Sequence, residues 1–332
     1  MTNGAREITE DECDTLGAWR LGPIISAYVP ATGTVNRTII VHTSNGPFVL
    51  RISSRERLRV EWEHACIFHA ADQGLPVCHP VSLPDGHTIL ERGGKFFTLF
   101  PMALGQQLAR GELSAEHAQA AGECLARIHV CFQSLPPDRH RIKNLNGDYR
   151  IHPDTIGRIE SAILALPMQT NVDRNALSHL QARRTWLEKS GNEMEGVQKR
   201  LETLPQFVLH GDYQETNLFF KDSSVSAVID WDQSGLAARG WEVVRALHLM
   251  VGLSVEMCSK FLLGYRSVLS FSNDELEESA ACYGVLADNN LWVYMAAYLE
   301  GNERAKQFIG PDPFIPFQVE WKAANLAEVF VL

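Results

Sequence analysis

The sequence predicts an α+β, bilobal protein: an antiparallel sheet with one helix, then a mainly helical region that carries a short hairpin of its own. Three observations predict it. Between Ile24 and Phe100, short β-branched and aromatic runs alternate with Gly, Asn and Asp turns, and one helical stretch interrupts them. From Ser114 onward, apolar residues recur at helical spacing. Inside that helical region, Phe207 to Asp232 reads FVLHGDYQETNLFFKDSSVSAVIDWD, two apolar runs around a turn-prone centre. These patterns put an N-terminal lobe at residues 1–102 and a C-terminal lobe at 103–332.

The first element is a short helical lead-in, ITEDECDTLGAWRLG, closed by Gly22-Pro23. Three strands follow, IISAYVP, NRTIIVHTS and PFVLRIS, and Asn45-Gly46 is a hairpin turn between the last two. Arg51 places a charge on the third strand between Leu50 and Ile52. Ser53-Ser54-Arg55-Glu56 fits a capping box, opening a helix that runs to Gln73-Gly74. Two acids on this helix compete to face Arg51. Glu63 shares a stripe with Cys66, Ile67 and Ala70, whereas Glu61 is flanked by Arg57, Leu58, His64 and Ala65, so Glu63 is expected to face the sheet.

Two more strands are expected around Thr88–Glu91 and Phe96–Phe100, with Asp85-Gly86 and Gly93-Gly94 as turns. The stretch SAEHAQAAGECLARIHVCFQSL then reads as an amphipathic helix, and His129 within it is expected to be a packed, hydrogen-bonded residue. Residues 134–206 read as polar helices broken by Pro136-Pro137, Pro153, Pro167 and Pro205. Toward the end, Trp292 and Trp321 are expected in the core or in a pocket.

The densest chemistry lies in the hairpin region. His210, Gly211 and Asp212 end an apolar run, Asn217 follows after four intervening residues, and Asp230 lies in the next apolar run. This is the H-x-D-x-x-x-x-N spacing of a kinase catalytic loop followed by a metal-binding Asp. A turn centred between Ser223 and Ser224 would bring Asn217 and Asp230 side by side, roughly 5 Å apart. A carboxylate and an amide oxygen together suit Mg²⁺, with Asp212 facing the same point. An ordinary hairpin with solvated acids is the plainer alternative, but five matching features in one window argue against it.

HGDYQETN followed by VIDWD resembles the aminoglycoside phosphotransferase and choline kinase family, small-molecule kinases with a protein-kinase-like fold. Gly211 stands where protein kinases usually carry Arg, which points to the small-molecule branch. The resemblance implies transfer of the γ-phosphoryl group of ATP or GTP, with Mg²⁺, to a hydroxyl of an antibiotic, amino alcohol or sugar. It implies roles as well: Asp212 as catalytic base, His210 supporting the loop, and Asn217 and Asp230 on the metal. Arg51 and Glu63 would position the nucleotide phosphates, Gly33 would lie in the loop over them, and Phe100 and Met102 would belong to the hinge holding the adenine ring. The chain departs from the family at Arg239-Gly240-Trp241-Glu242, where a Gly-Asp-Pro is frequent. There Glu242 reads either as a replacement structural acid or as a plain helix N-terminal acid.

Two other functions compete. A metal-dependent phosphoesterase would gather more His and Asp ligands than this window offers. A nucleotide-binding pseudokinase acting as a regulator would be expected to lack Asp212, Asn217 or Asp230.

Composition bounds the remainder. With 332 residues, 45% hydrophobic and 21% charged, the chain is an ordinary globular protein long enough for two lobes. Seven cysteines without a C-x-x-C read as reduced thiols in a cytoplasmic protein, and neither an export signal nor a membrane span is expected. The net charge of −10 argues against nucleic acid as a partner. Residues 1–102 carry 9 basic against 11 acidic residues, and residues 103–332 carry 21 against 29. An acidic C-terminal lobe is compatible with a cationic acceptor. The expected partners are therefore a nucleoside triphosphate and a small hydroxyl acceptor, with the chain a monomer or homodimer.

Overall fold

A computed structural model describes residues 8–30, 37–135, 141–145, 154–190 and 194–326. Contacts divide the chain into two compact units, Met1–Glu112 with His210–Ser234, and Leu113–Leu209 with Gly235–Leu332. This grouping follows packing, so the hairpin region joins the N-terminal sheet although about 100 residues separate them in sequence.

The first unit is built on a five-stranded antiparallel sheet in the order β1-β2-β3-β5-β4. Its strands are β1 (Ile24–Tyr28), β2 (Arg37–Thr43), β3 (Gly46–Ser53), β4 (Leu90–Arg92) and β5 (Lys95–Pro101). Alternation along the strands sends Ile39, Val41, Leu50, Ile52, Phe97 and Leu99 to one face, where they form a core with Leu16, Trp19 and Leu83. Helix α1 (Glu10–Leu16) serves that core and opens with the Thr9/Glu12 capping box. Arg51 and its neighbour Thr98 on β5 point to the other face, which helix α2 (Arg57–Asp72) meets through Glu63 and His64.

Some boundaries differ from those expected. Strand β4 starts at Leu90 rather than Thr88, since backbone pairing with β5 begins at Leu90 opposite Phe97; the Thr88 side chain meets His64 Nδ1 at 2.8 Å. The capping box at Ser53 does not form: Ser53 ends β3, its Oγ accepts from the Arg55 N–H at 3.1 Å, and α2 begins from Glu56 without a side-chain cap. At the other end, Gly74 (φ 75°) sits just past the cap residue, and its N–H donates to the Ala71 carbonyl at 2.8 Å.

The hairpin β7 (Leu218–Lys221) and β8 (Ser224–Val228) belongs to the same unit. It is joined to the segment after the sheet by paired backbone bonds between Gln106 and Phe220, each 2.9 Å. The approach is close enough that Gly105 (φ 94°) could carry no Cβ, which would lie 2.4 Å from the Phe220 carbonyl oxygen. On another side, the Val228 N–H donates to the Pro76 carbonyl at 2.7 Å.

The second unit is helical: α3 (Ala115–Cys131), α4 (Thr155–Leu164), α5 (Asn171–Ser190), α6 (Met194–Thr203), α7 (Arg239–Leu249), α8 (Val255–Val268), α9 (Asn273–Asp288), α10 (Trp292–Tyr298) and α11 (Phe317–Ala323). A two-stranded pair, β6 (Gln206–Leu209) with β9 (Gly235–Ala238), completes it. His129 is fully buried, bonded to Tyr265 Oη at 2.7 Å and Glu242 Oε2 at 3.0 Å, so Glu242 is a core acid rather than a solvated helix-end residue. Arg239 grips Glu275 through two nitrogens at 2.8 and 2.7 Å. Trp321 is buried as expected, but Trp292 is 43% exposed and rests against Phe308 instead of the core. All seven cysteines are thiols, and no helix among the described residues is long and apolar enough to cross a membrane.

Candidate active site

Six of the predicted site residues, Arg51, Glu63, His210, Asp212, Asn217 and Asp230, take part in two groups of contacts within the first unit. The first surrounds Arg51. Its Nη1 bonds to Glu63 Oε1, while Nη2 lies 3.1 Å from Asp230 Oδ1 and 3.5 Å from Asp232 Oδ2. Arg55 Nη2 lies 3.7 Å from the same Asp232 oxygen. Glu63, not Glu61, meets Arg51; Glu61 pairs along the exposed helix face with Arg57 at 2.8 Å.

Three carboxylates thus share two guanidinium groups, and burial together with this charge imbalance shifts the proton affinities of the cluster. Burial works against the charge of Arg51, but Glu63, Asp230 and Asp232 together hold it well above its ordinary value. Burial pushes the Glu63 carboxyl up to about 7, against the pull of Arg51 and with help from Asp230 and Asp232. Asp230 is likewise raised, by burial first, opposed by Arg51 and reinforced by Asp232 and Asp212. Next to this cluster His64 is driven down to about 4 by burial and then by the Arg51 charge, which leaves it neutral between Thr88 and Thr98.

The second group surrounds Asp212. The amide of Asn217 donates to the Asp212 carbonyl at 2.8 Å and to its Oδ2 at 2.9 Å, and Gln214 Nε2 reaches the same Oδ2 at 3.2 Å. His210 is fully buried; its Nε2 donates to the Ile229 carbonyl at 2.9 Å, which leaves Nδ1 to accept the Asp212 N–H at 3.3 Å. The ring also packs against Trp231, centroids 4.7 Å apart. His210 therefore ties the Asp212 loop to the end of β8. Gly211 is required between them: its φ is 87°, and a Cβ would lie 2.1 Å from the Gln233 carbonyl oxygen.

The hairpin register differs by one step from the expected one. Lys221 pairs with Ser224, so the turn centres between Asp222 and Ser223, and a bulge follows between Phe219 and Phe220. Asn217 consequently stands opposite Ile229, whose N–H donates to the Asn217 carbonyl at 3.0 Å. Asp230 lies one residue beyond the pair, in the left-handed region at φ 63°, ψ 65°.

A divalent cation fits this donor set. Asp230 Oδ1 is buried with no hydrogen-bond partner, in ion-pair range of Arg51 alone, and the surrounding cluster carries one more carboxylate than it has guanidinium groups. Among the described residues, no group of three or more His, Cys, Asp and Glu could hold a metal by itself. Asp230 and Asn217 would need phosphate or water oxygens to complete a coordination shell.

Of the remaining predicted residues, Gly33 lies outside the described residues. Phe100 pairs with Val49 near the end of β5. The Met102 N–H donates to the Pro47 carbonyl at 3.2 Å, so the backbone donor expected there for a ring is already engaged. Sequence reasoning missed Asp232, Gln214 and Trp62. Asp232 had a signal, a second acid two residues after Asp230, but only the fold shows that it turns onto Arg51.

The phosphotransferase enzyme family (APH) matches residues 29–278. The chain belongs to that family. Membership makes it a small-molecule phosphotransferase by family, with the protein-kinase-like α+β fold. An uncharacterized protein of Synechocystis sp. is 26% identical over 69% of this chain, and the match spans 62% of that relative's length. The homoserine kinase of Mesorhizobium japonicum is 22% identical, over 77% of this chain and 75% of its own. Among solved structures, a spectinomycin phosphotransferase in complex with ADP and spectinomycin superposes with a TM-score of 0.64 at 13% identity, covering 97% of this chain and 100% of its own. At that identity the likeness concerns the fold.

Proposed function

We propose that this phosphotransferase moves the γ-phosphoryl group of ATP or GTP, with Mg²⁺, to a hydroxyl of a small amine-bearing acceptor. The observation that carries the reading is the pairing of two contact groups in one packed unit. Asp212 is held by Asn217 and Gln214, and Asp230 is paired with one nitrogen of Arg51 while Glu63 braces the other.

In this reading Asp212 orients the acceptor hydroxyl and takes its proton late, since the transition state is loose and rewards positioning over basicity. His210 fixes the loop from behind. Arg51, kept charged by its carboxylates and braced by Glu63, holds nucleotide phosphates as a planar fork rather than a point charge. Asp230 and the Asn217 amide oxygen would hold Mg²⁺, which when bound would neutralise phosphate charge. Residues 1–102 would then serve as the nucleotide lobe, with Phe100 to Ala103 as the hinge, and residues 103–332 as the catalytic and acceptor lobe. Because the Met102 N–H is engaged, the ring would be held by other backbone groups of that hinge. The cytoplasm is the proposed compartment, in keeping with seven cysteines present as thiols.

The homoserine kinase relative favours a small amine-bearing hydroxyl compound, the hydroxy amino acid homoserine or an amino alcohol, over a bulky aminoglycoside as the first acceptor to try. The test is a coupled assay of ADP or GDP release over homoserine, choline-like amino alcohols, aminoglycosides and sugars, with ATP and GTP each as donor. Turnover with homoserine or an amino alcohol supports the reading. Tight nucleotide binding without turnover on any acceptor would make the protein a pseudokinase-type regulator instead.

A further inference from the structure

The kinase reading leaves Asp232 without a role, yet it is one of the most constrained acids in the first unit. Only 6% of it is exposed, and its Oδ2 lies between two cations, 3.5 Å from Arg51 and 3.7 Å from Arg55. Its backbone is fixed independently of that carboxylate. Arg59 Nε donates to the Asp232 carbonyl at 3.1 Å and Trp62 Nε1 to the Ser234 carbonyl at 2.9 Å, so α2 holds the turn by its main chain. The main chain of the turn is therefore held by α2 without calling on the Asp232 carboxylate.

Arg51 Nη2 is the shared point. It divides its attraction between Asp230 at 3.1 Å and Asp232 at 3.5 Å, while Nη1 is committed to Glu63. A carboxylate tightly paired to a guanidinium is a poor metal ligand, because the cation must first be displaced or outcompeted. A second carboxylate on the same nitrogen loosens the first pair. Arg55 works in the opposite sense, since it draws Asp232 away from Arg51.

Resting on the proposed kinase reading, we infer that Asp232 is a positioning residue that competes for Arg51 and so leaves Asp230 available to the divalent cation. Asp232 does not touch nucleotide or metal; it acts through Arg51. The two residues that share its Oδ2 should then have opposite effects. Removing the Asp232 charge ties Arg51 to Asp230 and weakens cation binding. Removing the Arg55 charge returns Asp232 to Arg51 and strengthens it.

The experiment is nucleotide binding by calorimetry on the full chain, with ADP titrated at a series of Mg²⁺ concentrations, for wild type, Asp232→Asn and Arg55→Met. It needs no acceptor and no turnover. Asp232→Asn is expected to raise the half-saturating Mg²⁺ about fivefold or more, and Arg55→Met to lower it at least twofold. Unchanged midpoints in Asp232→Asn, or a rise in Arg55→Met, would overturn the inference, the latter because it would mark a general loosening of the turn. If Asp232→Asn fails to fold, the Arg55→Met arm decides alone, with no shift counting against the idea. Wild-type protein that binds ADP with no Mg²⁺ dependence would instead sink the kinase reading on which the inference rests.

Discussion

Asn217 turns its amide nitrogen onto the Asp212 carboxylate, 2.9 Å from Oδ2, while its main-chain oxygen accepts from Ile229 at 3.0 Å. One residue thus ties the proposed catalytic base to the strand that ends at the proposed metal ligand. Replacing Asp212 by Asn should keep this scaffold, because an amide can still meet Asn217 and Gln214. Phosphoryl transfer should fall by about two orders of magnitude or more, with nucleotide affinity retained. Steady-state rates beside equilibrium ADP binding check it; a variant as active as wild type removes Asp212 from the chemistry.

The shared cation gives a second expectation. Asp230→Asn should nearly abolish Mg²⁺-dependent nucleotide binding, and Asn217→Ala should weaken it less, because a neutral amide attracts a divalent cation less than a carboxylate does. Asn is the right replacement at 230, where φ is 63° and most side chains would strain the backbone. The double variant should be little worse than Asp230→Asn alone. Strictly additive losses would assign the two residues to separate sites.

Glu63 and Glu61 make an internal comparison two residues apart. Glu63→Ala removes the partner of Arg51 Nη1 but leaves Asp230 and Asp232 on Nη2, so it should cost about 1–3 kcal/mol of stability, together with a higher nucleotide KM. Glu61→Ala removes only an exposed partner of Arg57 and should leave both nearly unchanged. Urea midpoints and nucleotide KM for both variants decide it, and equal effects would mean that Arg51 does not depend on Glu63.

A pH dependence follows from His64, held down to about 4 by burial and then by Arg51, against an ordinary 6.5. Between those values the unfolded chain binds the proton that the folded protein refuses, so stability rises with pH across this window. Acidification from pH 6.5 to 4 should therefore cost on the order of 3 kcal/mol through this one residue. The difference in unfolding free energy between wild type and His64→Gln, measured at several pH values, isolates it. A difference that stays flat from pH 4 to 6.5 would show that His64 titrates normally.

The backbone of the loop can be tested without touching a charge. Gly211→Ala adds a Cβ 2.1 Å from the Gln233 oxygen at a φ of 87°, so the loop must move. A loss of about 2–4 kcal/mol is expected, with kcat reduced even well below the new Tm because His210 and Asp212 flank the site. A variant of wild-type stability would contradict the close approach.

Much of this architecture was legible in the sequence because it follows from periodicity and turn chemistry. The strand alternation around Arg51, the hairpin joining β2 and β3 and the stripe that turns Glu63 inward are local properties of a strand, a turn and a helix. Gly46 itself pairs with Thr43, so Ser44-Asn45 rather than Asn45-Gly46 make the turn. What was not legible depends on distant partners. The Ser53 cap was lost because β3 extends to Ser53, and the hairpin register moved because the turn centres one residue early, at Asp222-Ser223. That alone would shift the pairing by two, and the bulge between Phe219 and Phe220 restores one of them. Asp232 was passed over for the same reason, since its meaning comes from Arg51 and Arg55, about 180 residues earlier. Trp292 was misjudged from its residue type, because nothing local says whether a large ring is covered.

The first packed unit is discontinuous, made of Met1–Glu112 and His210–Ser234. During synthesis the sheet and α2 leave the ribosome well before the hairpin that packs beside Pro76 and Gln106. At roughly 5–20 residues per second, the intervening stretch takes on the order of 5 to 20 seconds to make. For that interval Arg51 and Glu63 have each other but neither Asp230 nor Asp232, and the backbone groups of Gln106 lack the strand they pair with. The nascent chain therefore carries a half-finished unit whose charged cluster is incomplete and whose contact surface for the hairpin is uncovered, the stage at which chaperone capture or aggregation during expression is expected.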